Sequence, residues 1–366
     1  MRRAFLLLYI VTVCLLLGGC RGQLFSGHRD MEHLRPVQTV GLDADGEAVT
    51  LSVSSGIGPD GAPPLVMKAA ASGIETAAER LQDWSPEDEL FYAHVRYILL
   101  GEGMLGDGID RVMDWVERSP AMPMDTPLLL IRGRAEEAVT GSLGGSTDVT
   151  ERLNSLERER RSHGDSLPTL RETAASLHER GYALCVAVEL YSDEGTNFTD
   201  EENGLAIVPA GLALLRSGED PVWLTQNETA GAELLLRPAA GEHIPVGDGM
   251  LELLGGGAEA SGLWAGDGTL TGVYIRCDLL AGVLERSGKA DDAAMAEALE
   301  RDAAGWLTEA VDRARTLGCD FLGLGDAVRK NAPAGADEPA WDEILPTLPV
   351  TIAVHAEIGR GYDLEG

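Results

Sequence analysis

The chain has 366 residues, 44% hydrophobic and 24% charged, a balance that marks a globular chain with room for two or three domains. Its formal net charge is −31, the acids run along the whole length, and lysine is confined to Lys68, Lys289 and Lys330. A body this acidic is repelled by phosphate backbones and by anionic headgroups, which excludes nucleic acid as a partner.

The elements begin with a targeting segment. Arg2 and Arg3 precede an apolar run over 4–17 that stops at Leu17-Gly18-Gly19-Cys20. A basic tip, a short apolar core and small residues before a cleavage point make a secretory signal. A cysteine directly after the small residues makes it a bacterial lipoprotein signal. Cys20 would carry the diacylglycerol, and its freed amine a further acyl chain such as palmitate. The competing reading, an uncleaved anchor helix, needs roughly 20 apolar residues to cross a bilayer, and this run is shorter. Removing residues 1–19 takes away two arginines and no acid, so the mature body is more acidic still. Cleaved or anchoring, the segment places the bulk of the chain outside the cytoplasm, and no second apolar run is long enough to span. Of five cysteines, Cys14 leaves with the signal and Cys20 is lipidated. Cys185, Cys277 and Cys319 leave room for one disulfide but not a framework. The strand-like surroundings of Cys185 and Cys277 favour buried, small apolar roles.

Residues 20–35 read as a polar tether. Strands over 37–42 and 48–53 flank Asp43-Ala44-Asp45-Gly46-Glu47, a hairpin with turn chemistry in its loop. A third strand follows at 65–67, then a helix from Ser72 or Gly73 to about Gln82. Residues 90–100 form the most strand-like run of this half. A helix over 106–118, a strand over 126–131 and a short helix over 135–140 complete a mixed α/β unit. From 141 to 166 the chain turns polar, and the interleaved acids of Glu157-Arg158-Glu159-Arg160-Arg161 mark an exposed charged helix. A helix over 170–180 and a buried strand over 183–190 follow.

A second unit starts near Asn203. Segments 204–208 and 212–215 read as a hairpin across Pro209 to Gly211, followed by a helix over 225–236. Strand-like pieces recur at 249–254 and 269–285, with Gly255-Gly256-Gly257 between them read as a flexible loop. The longest helix spans about 291–317. Met295, Leu299, Ala303, Trp306, Leu307, Ala310, Val311 and Ala314 form one apolar stripe along it, and Gly318 ends it in a left-handed cap. A short helix over 326–330 and a last strand over 350–358 close the chain.

This order of elements resembles the Ger(x)C family, the lipoprotein C subunits of bacterial spore germinant receptors. The likeness is carried by Gly73-Ile74-Glu75-Thr76-Ala77 and by 91–102, an aromatic-x-His strand (Tyr92-Ala93-His94) ending in Gly101-Glu102. It continues through 108–116, Arg118-Ser119-Pro120, Met124-Asp125-Thr126 and Gly204-Leu205-Ala206-Ile207. The most distinctive match is 321–330 followed by Trp341-Asp342-Glu343-Ile344-Leu345-Pro346, and the strand at 350–354 closes it. The resemblance runs through nearly the whole mature chain. It departs after Cys20, where Arg21-Gly22-Gln23 replaces the family's Trp-Asp stretch, and in its scarcity of lysine. The resemblance implies a lipid-anchored protein on the extracytoplasmic face of the inner spore membrane. Its implied partners are two integral-membrane subunits, A and B.

The seven histidines, His28, His33, His94, His163, His178, His243 and His355, show no metal-ligand spacing. His94 matches the family histidine and reads as a hydrogen-bonded structural residue. Gly323-x-Gly325 lacks the third glycine and preceding strand of a dinucleotide site and reads as a turn. Trp341-Asp342-Glu343 reads as an anchor for the last helix. No Gly-x-Ser-x-Gly elbow is present. Asn197-Phe198-Thr199 and Asn227-Glu228-Thr229 match glycosylation acceptors that bacterial lipoproteins seldom use.

Together these readings give an α+β class, with mixed α/β domains of mostly antiparallel sheets flanked by helices and a long amphipathic helix in the C-terminal domain. The expected organisation is a signal peptide over 1–19, a tether over 20–35, an N-terminal domain over 36–200 with a subdomain boundary at 141–166, and a C-terminal Ger(x)C-like domain over 201–366. The expected function is a non-enzymatic receptor subunit with no cofactor, metal or catalytic residue and with Cys20 as its one modified site. The alternatives are an extracytoplasmic solute-binding lipoprotein of a transporter and, in a third class, a lipoprotein hydrolase.

Overall fold

The computed structural model describes residues 34–57, 63–85, 89–106, 108–119, 122–141, 148–192, 205–246, 249–286, 291–334, 336 and 341–359. The elements of the first part are β1 (Leu34–Pro36), β2 (Thr39–Asp45), β3 (Ala48–Ser54), β4 (Val66–Ala71), α1 (Ile74–Trp84), β5 (Glu89–Phe91), β6 (Tyr97–Gly101), α2 (Gly108–Arg118), β7 (Leu128–Arg132), α3 (Ala135–Thr140), α4 (Val149–Ser162), α5 (Leu170–Arg180), β8 (Tyr182–Ser192), β9 (Leu205–Arg216) and β10 (Val222–Trp223). They are followed by α6 (Gln226–Leu236), β11 (His243–Val246), β12 (Gly249–Trp264), β13 (Leu270–Glu285), α7 (Asp292–Leu317), α8 (Leu324–Lys330), α9 (Trp341–Ile344) and β14 (Val350–Gly359).

Eight strands form one sheet in the order β10-β9-β8-β7-β6-β2-β3-β4. The middle four, β8-β7-β6-β2, run parallel, and the strands outside them pair antiparallel. Every residue of β6 and all but the last of β7 are buried, the pattern of parallel strands covered on both faces. One face is covered by α1, α2 and α5 through Ile74, Leu81, Ile109, Val112, Leu170 and Leu177. The other is covered by α3 and α4 and then, without a break, by the C-terminal layer. That layer is a four-stranded sheet, β11-β12-β13-β14, antiparallel except for β13-β14, with α6 and α7 packed upon it.

Local sequence explains the helix boundaries. Thr169 and Thr225 form capping boxes with Glu172 and Glu228, and the Asp291 carboxylate accepts from the Ala294 N–H at 2.9 Å. Gly318, at φ 62°, ends α7 as expected, and Met295, Leu299, Ala303, Leu307, Ala310, Val311 and Ala314 are its buried residues. Among the described residues no helix is long and apolar enough to cross a membrane.

Three expectations fail for related reasons. The run over 90–100 is two strands separated by a 3₁₀ turn at Tyr92–His94, because β5 pairs with β1 while β6 pairs with β2 in a different sheet. The hairpin across Pro209–Gly211 is one strand, β9. There Pro209 and Gly211 (φ 84°) lie opposite Val188 and Ala187, leaving Ala210 as the extra residue of a bulge. Gly255-Gly256-Gly257 lies inside β12, again at a register shift, and a Cβ on Gly256 (φ 122°) would meet the Asp278 carbonyl oxygen at 2.1 Å.

Helices α6 and α7 approach so closely that a Cβ on Gly231 would sit 2.1 Å from the Trp306 carbonyl oxygen. The obstacle is backbone, so the helices must separate to admit it. Gly231→Ala is expected to cost about 3 kcal/mol, the upper end of the overpacking range, read as a lowered urea midpoint.

Candidate functional site

Cys20, the one residue assigned a modification, lies outside the described residues, as do His28, His33 and Asn197. The three remaining cysteines are buried and free, so no disulfide joins them. Burial pushes the Cys185 and Cys277 thiols up to about 12, which leaves them unreactive. Cys319 accepts from Arg216 Nη2 at 3.1 Å, and the same Nη2 donates to the Leu317 carbonyl at 2.9 Å. Arg216 thereby ties the end of β9 to the C-terminal end of α7. His94 is exposed, and in place of the expected hydrogen bond its ring lies tilted against Phe91 with centroids 5.4 Å apart. Asn227 donates to Glu309 at 2.9 Å, and Thr229 is buried on α6, its hydroxyl accepting from the Leu212 N–H at 3.3 Å. Among the described residues no group of three or more His, Cys, Asp or Glu could hold a metal ion.

The buried acids do structural work that the sequence did not disclose. Asp43, read as a hairpin-loop residue, is buried at 3% exposure inside β2. Its two oxygens accept from the Ala135 and Glu136 N–H groups at 2.8 and 2.7 Å, satisfying the N-terminus of α3. Asp320 repeats this at α8, accepting from Leu324 at 2.9 Å and Gly325 at 2.7 Å. Each carboxylate has a glycine packed beside it. A Cβ on Gly101 would fall 1.9 Å from Asp43 Oδ1, and one on Gly325 would meet Asp320 Oδ2 at 3.1 Å and the Trp341 ring at 3.0 Å. The segment 321–330 with Trp341 is therefore a locked helix start. Its Leu324 and Gly325 N–H groups are taken by the Asp320 carboxylate. Burial pushes both carboxyl groups above the ordinary aspartate value, although the backbone N–H donors pull them down.

A part-buried ion network joins α4 to the C-terminal layer. Arg160 pairs with Asp165 and, at 3.4 Å, with Glu233 of α6. Arg237, just past α6, pairs with Glu233 at 2.9 Å, with Glu242 before β11, and with Asp165 at 3.8 Å. Two arginines thus serve three acids drawn from three parts of the chain, with the Arg237 side chain only 12% exposed. His163 packs beside this network against Gly241, whose φ is 76°.

Comparison with known proteins places this architecture. The spore germination protein N-terminal domain model matches residues 27–188, and the spore germination B3/GerAC-like C-terminal model matches residues 283–361. A crystal structure of the GerBC protein superposes with a TM-score of 0.55 over 87% of this chain and 96% of that one, at 15% identity, a likeness of fold. No curated protein matches. Asp43, Arg160 and Asp165 fall in the first matched segment and Asp320 and Trp341 in the second, while Glu233, Arg237 and Glu242 lie between them.

Removing the Arg237 guanidinium takes the partner from Glu242 and leaves Arg160 alone to serve both Glu233 and Asp165. Arg237→Ala is expected to cost about 3 kcal/mol in urea unfolding, the lower end for breaking a buried pair. The capping carboxylates predict a pH dependence. Above 3.8 the unfolded chain has released their protons while the native state still holds them, so stability falls as pH rises through the folded values. In urea titrations from about pH 4 upward, wild type should lose stability relative to Asp43→Asn/Asp320→Asn. A constant difference between the two proteins would refute this assignment.

Proposed function

The chain belongs to the spore germination family defined by those two domains, and on that premise we propose that it is the lipid-anchored subunit of a germinant receptor. It would act by contact with integral-membrane A and B subunits on the extracytoplasmic face of the inner spore membrane. The observation that carries this reading is the order of parts in one chain: Leu17-Gly18-Gly19-Cys20, then the N-terminal germination domain, then the C-terminal one. Neither domain model is that of an enzyme, and the buried acids and thiols that might have carried chemistry are occupied as caps or packed as apolar groups.

The physics of the proposal is a tether with a surface. Acylation at Cys20 confines the body to the membrane plane and raises its effective concentration beside its partners, so that weak contacts suffice. More than one acyl chain is needed, because a single chain holds a protein only marginally. We take 36–200 and 201–366 as the two working halves. Strands β9 and β10, from the second, complete the edge of the large sheet, so the halves meet through strand pairing and a shared core. The buried stripe of α7 serves this packing.

Cys20→Ala is expected to move the protein from the membrane fraction to the soluble one and to delay nutrient-triggered germination. Mass spectrometry of the wild-type protein should find an acylated N-terminus at Cys20. Normal germination by spores carrying the soluble variant would refute tethering as the mechanism.

A further inference from the structure

Most arginines of the described residues are spent on neighbouring carboxylates, as the chain's excess of acid makes unavoidable. Arg96 and Arg158 are exceptions that line the same cleft. Neither has a carboxylate partner among the described residues. Together with Arg161 they line an open cleft of about 530 Å³ between α4 and the segment that leads into β6, with Glu151, Asn154 and Glu157 as its other main walls. The floor is rigid. The buried Tyr97 hydroxyl lies 2.7 Å from Asn154 Oδ1 and 2.6 Å from Glu157 Oε2, which pins α4 to the sheet. The Arg96 guanidinium lies 6.0 Å from the Tyr97 ring centroid. Arg158 is braced on its own helix by the Asn154 carbonyl at 3.2 Å and Ser155 Oγ at 3.1 Å.

The acids on the walls do not cancel this charge. Glu157 uses one oxygen on Tyr97 and the other on Arg161 Nη2 at 2.6 Å, leaving Glu151 as the free carboxylate of the cleft. Three arginines against two glutamates leave a local balance of one positive charge, which matches a single phosphodiester. Arginine suits that ligand, since its planar fork binds phosphate oxygens in pairs.

Position argues for the source of the anion. A second cleft, of about 330 Å³, shares Arg96 and is completed by His94, Gln38 and Pro36. Pro36 is the last residue of β1, the strand through which the chain coming from Cys20 joins the fold. The basic spot therefore sits where the tether meets the body. We propose that the cleft lined by Arg96, Arg158 and Arg161 binds the phosphodiester headgroup of an anionic phospholipid and so sets one orientation of the body on the membrane. The rest of the surface, being acidic, is repelled by the same headgroups, which sharpens the preference. The choice of a lipid source rests on the tether reading above.

The test uses the purified full chain in a neutral detergent, titrated with dihexanoyl phosphatidylglycerol, dihexanoyl phosphatidylcholine or inorganic phosphate. Hydrogen exchange is followed over 94–98 and 149–161. It works whether or not Cys20 is acylated, so its failure and that of the tether are told apart by the fractionation of Cys20→Ala. Phosphatidylglycerol is expected to protect these segments, with a midpoint that rises with salt. Arg96→Glu and Arg158→Glu should each raise that midpoint by about thirtyfold, two charge units being reversed, at an unchanged urea midpoint. Both side chains are exposed, so folding should survive. Absence of protection, equal protection by phosphatidylcholine, or indifference to both substitutions would overturn the proposal. Equal protection by inorganic phosphate would overturn the lipid source in favour of a free anion. Loss of co-purification with the membrane subunits in Arg158→Glu, at an unchanged phosphatidylglycerol midpoint, would assign the surface to a protein instead.

Discussion

The central strands of the large sheet are apolar on both faces, and the fold follows from the need to cover both. Leu128, Leu130, Ile98 and Leu100 belong to the core under α1, α2 and α5, whereas Leu99, Leu129 and Ile131 point into the opposite one. Helices α3 and α4 are too small a lid for that second face. Val188, Leu212 and Leu214 of the sheet therefore share one cluster with Leu251, Ile275 and Leu307 of the C-terminal layer. The C-terminal half is a wall of the N-terminal half's core, which is why its ionic contacts, around Arg160 and Arg237, lie at the margin of an apolar junction.

Two buried carboxylates solve the same problem at opposite ends of the chain. A short helix packed against a sheet presents unpaired N–H groups to an apolar interior, where each would be costly. Helices α3 and α8 are both short, and Ser or Thr at the cap position would satisfy one donor. Asp43 and Asp320 each satisfy two, reaching in from outside the helix. The desolvation this incurs is reflected in their raised pKa, and the glycines at 101 and 325 are the space it requires. The segment over 321–330 with Trp341, the most distinctive part of the family resemblance, is thus a packing device.

Features that depend on nearby residues were legible in the sequence. The helices over 170–180 and 225–236, the start of the longest helix and its Gly318 stop lie within a residue or two of expectation, because the groups that the structure shows fixing them, around Thr169, Thr225, Asp291 and Gly318, lie within one turn. Glycine and proline misled where a partner strand decided the outcome. Pro209–Gly211 and Gly255–Gly257 carry the chemistry of turns, but long neighbouring strands, β8 and β13, hold them in the sheet: the first becomes a bulge at Ala210, and the three glycines pair with Leu280, Leu279 and Asp278 just after a bulge at Leu254. Asp43 looked like a loop residue because its hydrogen-bond donors lie more than ninety residues away. The arginine cleft was hidden in the same way: Arg158 and Arg161 were read as part of a solvated helix, and nothing local announced that Arg96 would join them.

A shared core has a mechanical consequence for the tethered subunit proposed above. Domains joined by a linker can reorient independently, so a contact at one end need not be felt at the other. Here the large sheet's second face, α6, α7 and the small sheet are packed into one cluster, and the Gly231–Trp306 approach leaves little slack between helices. Relative motion of the halves would expose apolar surface, at roughly 25 cal/mol for each Å² uncovered. Under the proposed function, a force or contact applied to the small sheet would therefore be more cheaply met by tilting the whole body about its tether than by opening it. The orientation of the body on the membrane would then be the variable that neighbouring subunits read, and a basic spot beside the tether is where a small change in binding free energy would have the greatest effect upon it.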